Sequence, residues 1–101
     1  MSKRPFHFLQ PAEQELIDAI TYYYLQCPGM EKELLAAFEN CVQQILALPE
    51  AWPPFLRNVR RCQLLRFPYR IYYMVNEDEI VGVAFEHASR DPLYWIDRLE
   101  S

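Results

Sequence analysis

The sequence predicts an α+β domain, and three observations predict it. Two apolar stripes at helical spacing are separated by a Pro-Gly break, three strand-forming runs follow at hairpin spacing, and a proline-rich connection divides the two halves. At 101 residues the chain is long enough for one core and too short for two, so residues 1–101 read as a single domain. Half of the residues are hydrophobic, which separates this composition from that of a disordered chain.

The elements follow in order. Arg4 to Leu9 alternates with Phe6 and Phe8 on one side, a short first strand placed at a sheet edge by Pro5. Pro11 suits a first helical turn, Glu13 and Glu15 complement a helix N-terminus, and Leu16, Ile17, Ile20, Tyr23 and Tyr24 recur at three-to-four spacing, predicting a helix from Pro11 to Gln26. Pro28 and Gly29 break it. A second helix is predicted from Glu31 to Leu48, with Leu34, Leu35, Phe38, Val42, Ile45, Leu46 and Leu48 in one stripe. The short break makes the pair an αα-hairpin whose shared apolar side needs a sheet to cover it.

Residues Pro49 to Asn58 are a connection in which Pro53 and Pro54 oppose helix and central strand alike. Three strands are then predicted, Arg60–Arg66, Tyr69–Val75 and Ile80–His87, forming an antiparallel meander through turns at Phe67-Pro68 and Asn76 to Glu79. Asp91 as N-cap and Pro92 at the first helical position predict a short last helix ending near Leu99.

Charge is distributed unevenly along this acidic chain. Residues 1–50 hold three basic and seven acidic side chains, residues 51–76 hold five arginines and no acid, and residues 77–101 hold two basic and seven acidic. The arginine run, VRRCQLLRFPYRIYY over Val59 to Tyr73, therefore implies a sheet that faces anions, because a partner senses the local field within about 8–10 Å and not the net charge. Strand alternation divides the run: Arg61, Gln63 and Leu65 share one face, and Arg60, Cys62, Leu64 and Arg66 the other. A low pI argues against a protein that grips nucleic acid through many phosphates.

Cys27, Cys41 and Cys62 are odd in number, widely spaced and without a CxxC pair or a histidine at ligand spacing, so neither a metal nor a cofactor is expected. Cys41 and Cys62 fall in apolar patterns and are expected to be buried, whereas Cys27 lies beside a turn and is expected to be accessible. No signal peptide and no run of about 20 apolar residues is present, so a cytoplasmic location without membrane contact is expected.

The helical hairpin, the Arg60-Arg61 pair, the Arg66-Phe67-Pro68-Tyr69 turn, the Tyr72-Tyr73 pair and the tail of His87, Arg90, Asp91, Pro92, Tyr94 and Trp95 together resemble the RelE/ParE superfamily of type II toxin–antitoxin toxins. The resemblance spans Phe6 to Trp95. It implies a β-α-α-β-β-β toxin with a helical hairpin on an antiparallel-rich sheet, neutralised by a cognate antitoxin that wraps it in a hetero-oligomer. The tail form is similar to that of plasmid-stabilisation proteins on the ParE-like branch, which implies growth inhibition through a bound target such as DNA gyrase.

The RelE-like alternative is a ribosome-dependent mRNA endonuclease that works without a metal. Such cleavage needs a base, an acid and cations on the phosphoryl oxygens. His87 is suited to acid or base with a reference pKa of about 6.5, Arg61, Arg66 and Arg90 to the phosphate, and Tyr94 to proton donation or base stacking. The absence of lysine after Lys32 weighs against ribosomal RNA binding and hence against an enzyme. The structural readings are a His87 that fixes the tail, an Arg90–Asp91 pair in the last turn, and Tyr72, Tyr73, Tyr94 and Trp95 as packing. As an antitoxin- or target-binding surface the expected residues are Arg57, Arg61, Arg66, Arg70, Arg90, Tyr94 and Trp95. A homodimer through a strand edge is a further expectation, as is a non-toxic remnant that keeps only antitoxin binding.

Overall fold

A computed structural model describes residues 4–100. Strand β1 (Phe6–Phe8) is followed by helix α1 (Gln10–Gln26) and helix α2 (Met30–Ala47). Four strands come next: β2 (Pro54–Leu56), β3 (Val59–Gln63), β4 (Tyr69–Val75) and β5 (Ile80–His87), then a 3₁₀ helix (Ile96–Glu100). They form one five-stranded sheet in the order β1-β5-β4-β3-β2, in which only β1 and β5 are parallel. No helix among the described residues is long and apolar enough to cross a membrane.

The Pro-Gly break works as the sequence requires. Gly29 takes φ 103°, a left-handed conformation that glycine reaches without a Cβ penalty, and the Glu31 carboxylate accepts its N–H at 2.7 Å. Pro11 occupies the first turn of α1, where a missing N–H costs nothing. The helices cover one face of the sheet through Ala19, Leu34, Cys41 and Ile45, which meet Cys62, Leu64, Ile71, Tyr73, Ile80 and Phe85. Cys41 and Cys62 are buried and Cys27 is exposed, as their patterns require.

Four features differ from the expectations. Pro54 does enter a strand, because β2 is an edge strand, where a proline need not donate to a neighbour on its free side. Strand β3 stops at Gln63 instead of Arg66, since Arg66 sits at φ 70° within the turn that leads to β4. The tail winds through turns into a 3₁₀ helix, not an α-helix; Asp91 accepts the Leu93 N–H at 2.9 Å, closing a turn where an N-cap was expected. The α1 stripe is also narrower than its periodicity implies, with Ile17 and Tyr24 exposed and Ala12 and Ala19 buried.

A bulge sets the two faces of β5. Tyr72 pairs with Ala84 and Tyr73 with Gly82, leaving Val83 as the extra residue. Alternation therefore changes phase: Ile80 and Phe85 both face the helices, while Val83 and Ala84 both face away. That second face is not open. Trp95 is fully buried on Tyr72, Val59, Val83 and Ala84, and Ile96 and Leu99 extend the cover. Each large side chain so buried contributes about 1.5–3 kcal/mol.

Candidate functional site

The face away from the helices carries Arg61 and Arg70 of the charged residues that the sequence singles out, and strand register explains how. Across β3, β4 and β5 one row reads Arg61, Tyr72, Ala84 and the next Gln63, Arg70, Glu86. Alternation sends all six side chains to the same side of the sheet. The Arg61 guanidinium lies 4.1 Å from the Phe55 ring centre, and Arg70 Nη1 donates to the Tyr72 hydroxyl at 3.3 Å. Beside them Arg90 stacks on Tyr94 at 3.8 Å. Arg61, Arg70, Arg90, Tyr94 and Trp95 are thus brought onto one side of the molecule.

The other expected residues go elsewhere. Arg66 points back to α2, where its Nη2 meets Glu33 Oε1 at 3.0 Å. Arg57 is exposed in the turn before β3, at the end of that strand opposite Gln63. His87 shares its side of β5 with Phe85, toward the helices, and its ring meets the Tyr69 ring at 5.3 Å. Its Nδ1 accepts the Ser89 N–H at 3.1 Å, which fixes the turn after β5. Arg90 pairs with Tyr94 and reaches Glu15 at 4.0 Å, not Asp91. Of the proposed phosphate-holding arginines, Arg90 lines one cleft with His87, Glu15 and Glu86, whereas Arg61 lies over Phe55 and Arg66 on Glu33, so the full set does not converge.

Tyr94 is committed as well. Its hydroxyl donates to Glu15 Oε2 at 2.5 Å, and burial followed by the Glu15 carboxylate pushes its pKa well above the ordinary phenol value. Trp95 is fully buried, so it meets no partner unless the tail moves.

Three residues that organise this side escape a reading of the sequence alone. Glu15, on α1, reaches the edge of β5 beyond the short β1 and accepts the Phe85 N–H at 3.1 Å. The same carboxylate accepts hydrogen bonds from Arg98 Nη1 and Nη2, at 3.0 and 2.8 Å, and Arg98 Nη1 also donates to the Val83 carbonyl at 2.9 Å. The Glu15 hydrogen bonds raise the Arg98 pKa further. Glu86 is 1 % exposed, and neither of its carboxylate oxygens has a hydrogen-bond partner. Burial raises its pKa, opposed by the nearby Tyr72 hydroxyl, which is outside hydrogen-bond geometry, and by Arg70 and Arg90. A lone acid in the otherwise apolar run IVGVAFEH is the one signal that could have marked Glu86.

Comparison with known proteins agrees with this architecture. A family model described as the ParE toxin of type II toxin–antitoxin systems, parDE, matches residues 6–92. No curated protein matches the chain. Among solved structures, one described as the chromosomal ParDE TA system from P. aeruginosa superposes with a TM-score of 0.75 at 15% identity, covering 86% of this chain and 98% of that one.

Proposed function

The chain belongs to the ParE toxin family of type II toxin–antitoxin systems, and from that premise we propose that it arrests growth by binding a macromolecular target, DNA gyrase, and not by cutting RNA. Its partner in such a system is an antitoxin. The observation that carries the proposal is the division of the candidate nuclease set: Arg61 lies over Phe55, Arg66 is tied to Glu33, and the Tyr94 hydroxyl is held by Glu15, which leaves Arg90 as the one candidate arginine that shares a cleft with His87. General acid–base cleavage needs these groups within hydrogen-bond reach of one phosphodiester.

Arg61, Arg70 and Arg90 form the seat for an acidic antitoxin segment. Arg61 and Arg70 lie on one side of the sheet in a segment, Ala51 to Asn76, that holds no acid, and the acids that face Arg70 and Arg90 are Glu86 and Glu15. An acidic chain that steers an acidic partner needs such a local patch, since its net charge repels.

The proposal is tested by expressing the chain with and without its adjoining gene. Arrest in unprotected cells and growth in protected cells support it, and unchanged growth in both removes toxicity in that host. Primer extension decides between the mechanisms: codon-linked mRNA cuts that vanish in His87→Ala would establish the nuclease reading instead.

A further inference from the structure

The Cys41 and Cys62 thiols lie on different elements, α2 and β3, 21 residues apart in sequence, with their sulfurs 2.8 Å from one another. Both are buried, at 3 % and 2 % exposure. A disulfide needs a sulfur separation of about 2.05 Å, so the two sulfurs stand under about 1 Å from bonding distance. We infer that Cys41 and Cys62 are an oxidant-responsive cross-link site, at which a small hydroperoxide joins α2 to β3 through a reversible disulfide.

The chemistry is assigned by the hydrogen bond. Cys41 donates its S–H to Cys62 Sγ, which favours the Cys62 thiolate and holds the Cys41 proton, so the Cys62 pKa is lowered and that of Cys41 raised. The Cys62 thiolate attacks one hydroperoxide oxygen. The O–O bond breaks, Cys62 becomes a sulfenic acid, and the departing oxygen leaves as water after taking up a proton. The Cys41 sulfur then attacks the Cys62 sulfur and the S–O bond breaks. The hydroxyl leaves as a second water with the Cys41 proton. Two thiols lose two electrons and two protons, and hydrogen peroxide becomes two waters. Burial makes the reaction slow, because the reagent must enter between α2 and the sheet, and it makes the cross-link intramolecular. Cys27 is exposed and reacts first, so it must be removed for the pair to be read.

The test uses the full chain carrying Cys27→Ser. The folded protein is treated with hydrogen peroxide, unfolded without reductant, alkylated with N-ethylmaleimide and weighed intact. The expected product is about 2 Da lighter than the untreated chain and takes up no maleimide, and dithiothreitol restores two reactive thiols. Adding Cys62→Ser, or Cys41→Ala should that variant fail to fold, abolishes the mass loss. Oxygen addition without the mass loss, two thiols that remain alkylatable, or disulfides that form only between molecules would each overturn the inference.

Discussion

The Glu15 carboxylate accepts two hydrogen bonds from the Arg98 guanidinium, at 3.0 and 2.8 Å, across 83 residues of sequence. Both side chains are less than one-fifth exposed, and the same carboxylate serves the Phe85 N–H and the Tyr94 hydroxyl. One acid on the first helix therefore closes the edge of β5 and fastens the tail that covers the outer face. Glu15→Ala is expected to cost about 2–3 kcal/mol, somewhat below the 3–5 kcal/mol of a fully buried pair, and to lower Tm by about 10 °C or more. Arg98→Ala in the Glu15→Ala background should then cost at least about 1 kcal/mol less than it does in the wild type. Thermal denaturation of the four proteins checks both statements, and additive losses would show the pair to be uncoupled.

Glu86 gives a pH dependence of defined sign. Burial raises its carboxyl pKa in the folded chain, so the folded state holds the proton more tightly than the unfolded one. The stability from this group is full below the ordinary value of 4.5 and is lost as pH rises through the folded value. Glu86→Gln removes that loss. It is expected to raise stability by about 1 kcal/mol at pH 7 to 8, or about 4–8 °C, with the gain shrinking toward pH 4. Melting curves of both proteins across that range check it.

Gly82 is needed for space and not for backbone freedom. It pairs with Phe8 in the parallel β1–β5 register, and a Cβ there would overlap the Phe8 ring and press on Phe6. The ring lies over the glycine as a cover, an arrangement known from aromatic rescue of strand glycines. Gly82→Ala should cost about 1–3 kcal/mol, read from urea denaturation, with the damage at the β1 edge.

The arginine seat is testable without touching the core. Arg61→Ala and Arg90→Ala each should weaken antitoxin binding by about three- to tenfold at low salt, mainly through the association rate, and the difference should fade as salt rises. Surface plasmon resonance at two ionic strengths checks this. Unchanged association in both variants would remove these arginines from the interface.

Much of the fold was legible because local pattern and global packing agree. Pro28-Gly29 had to break the helices, and Tyr69–Val75 and Ile80–His87 had to be strands. The tail was not legible in the same way. Tyr94, Trp95 and Arg98 derive their conformation from contacts with Tyr72 and Glu15, which no periodicity within the tail encodes. The bulge at Val83 was hidden for a related reason: an apolar strand buried on both faces shows no alternation whose phase could be seen to change. At the candidate site, alternation correctly separated Arg60 from Arg61, but it could not say that Arg66 would leave the strand and meet Glu33.

The central claim, a toxin that acts on a bound target and not by cutting RNA, is tested most directly by gyrase supercoiling of relaxed plasmid with increasing amounts of the purified protein. Dose-dependent loss of supercoiling, restored by the antitoxin and unchanged in His87→Ala, is the result expected. Full supercoiling at every dose, with arrested cells showing mRNA cleavage that His87→Ala abolishes, would contradict it.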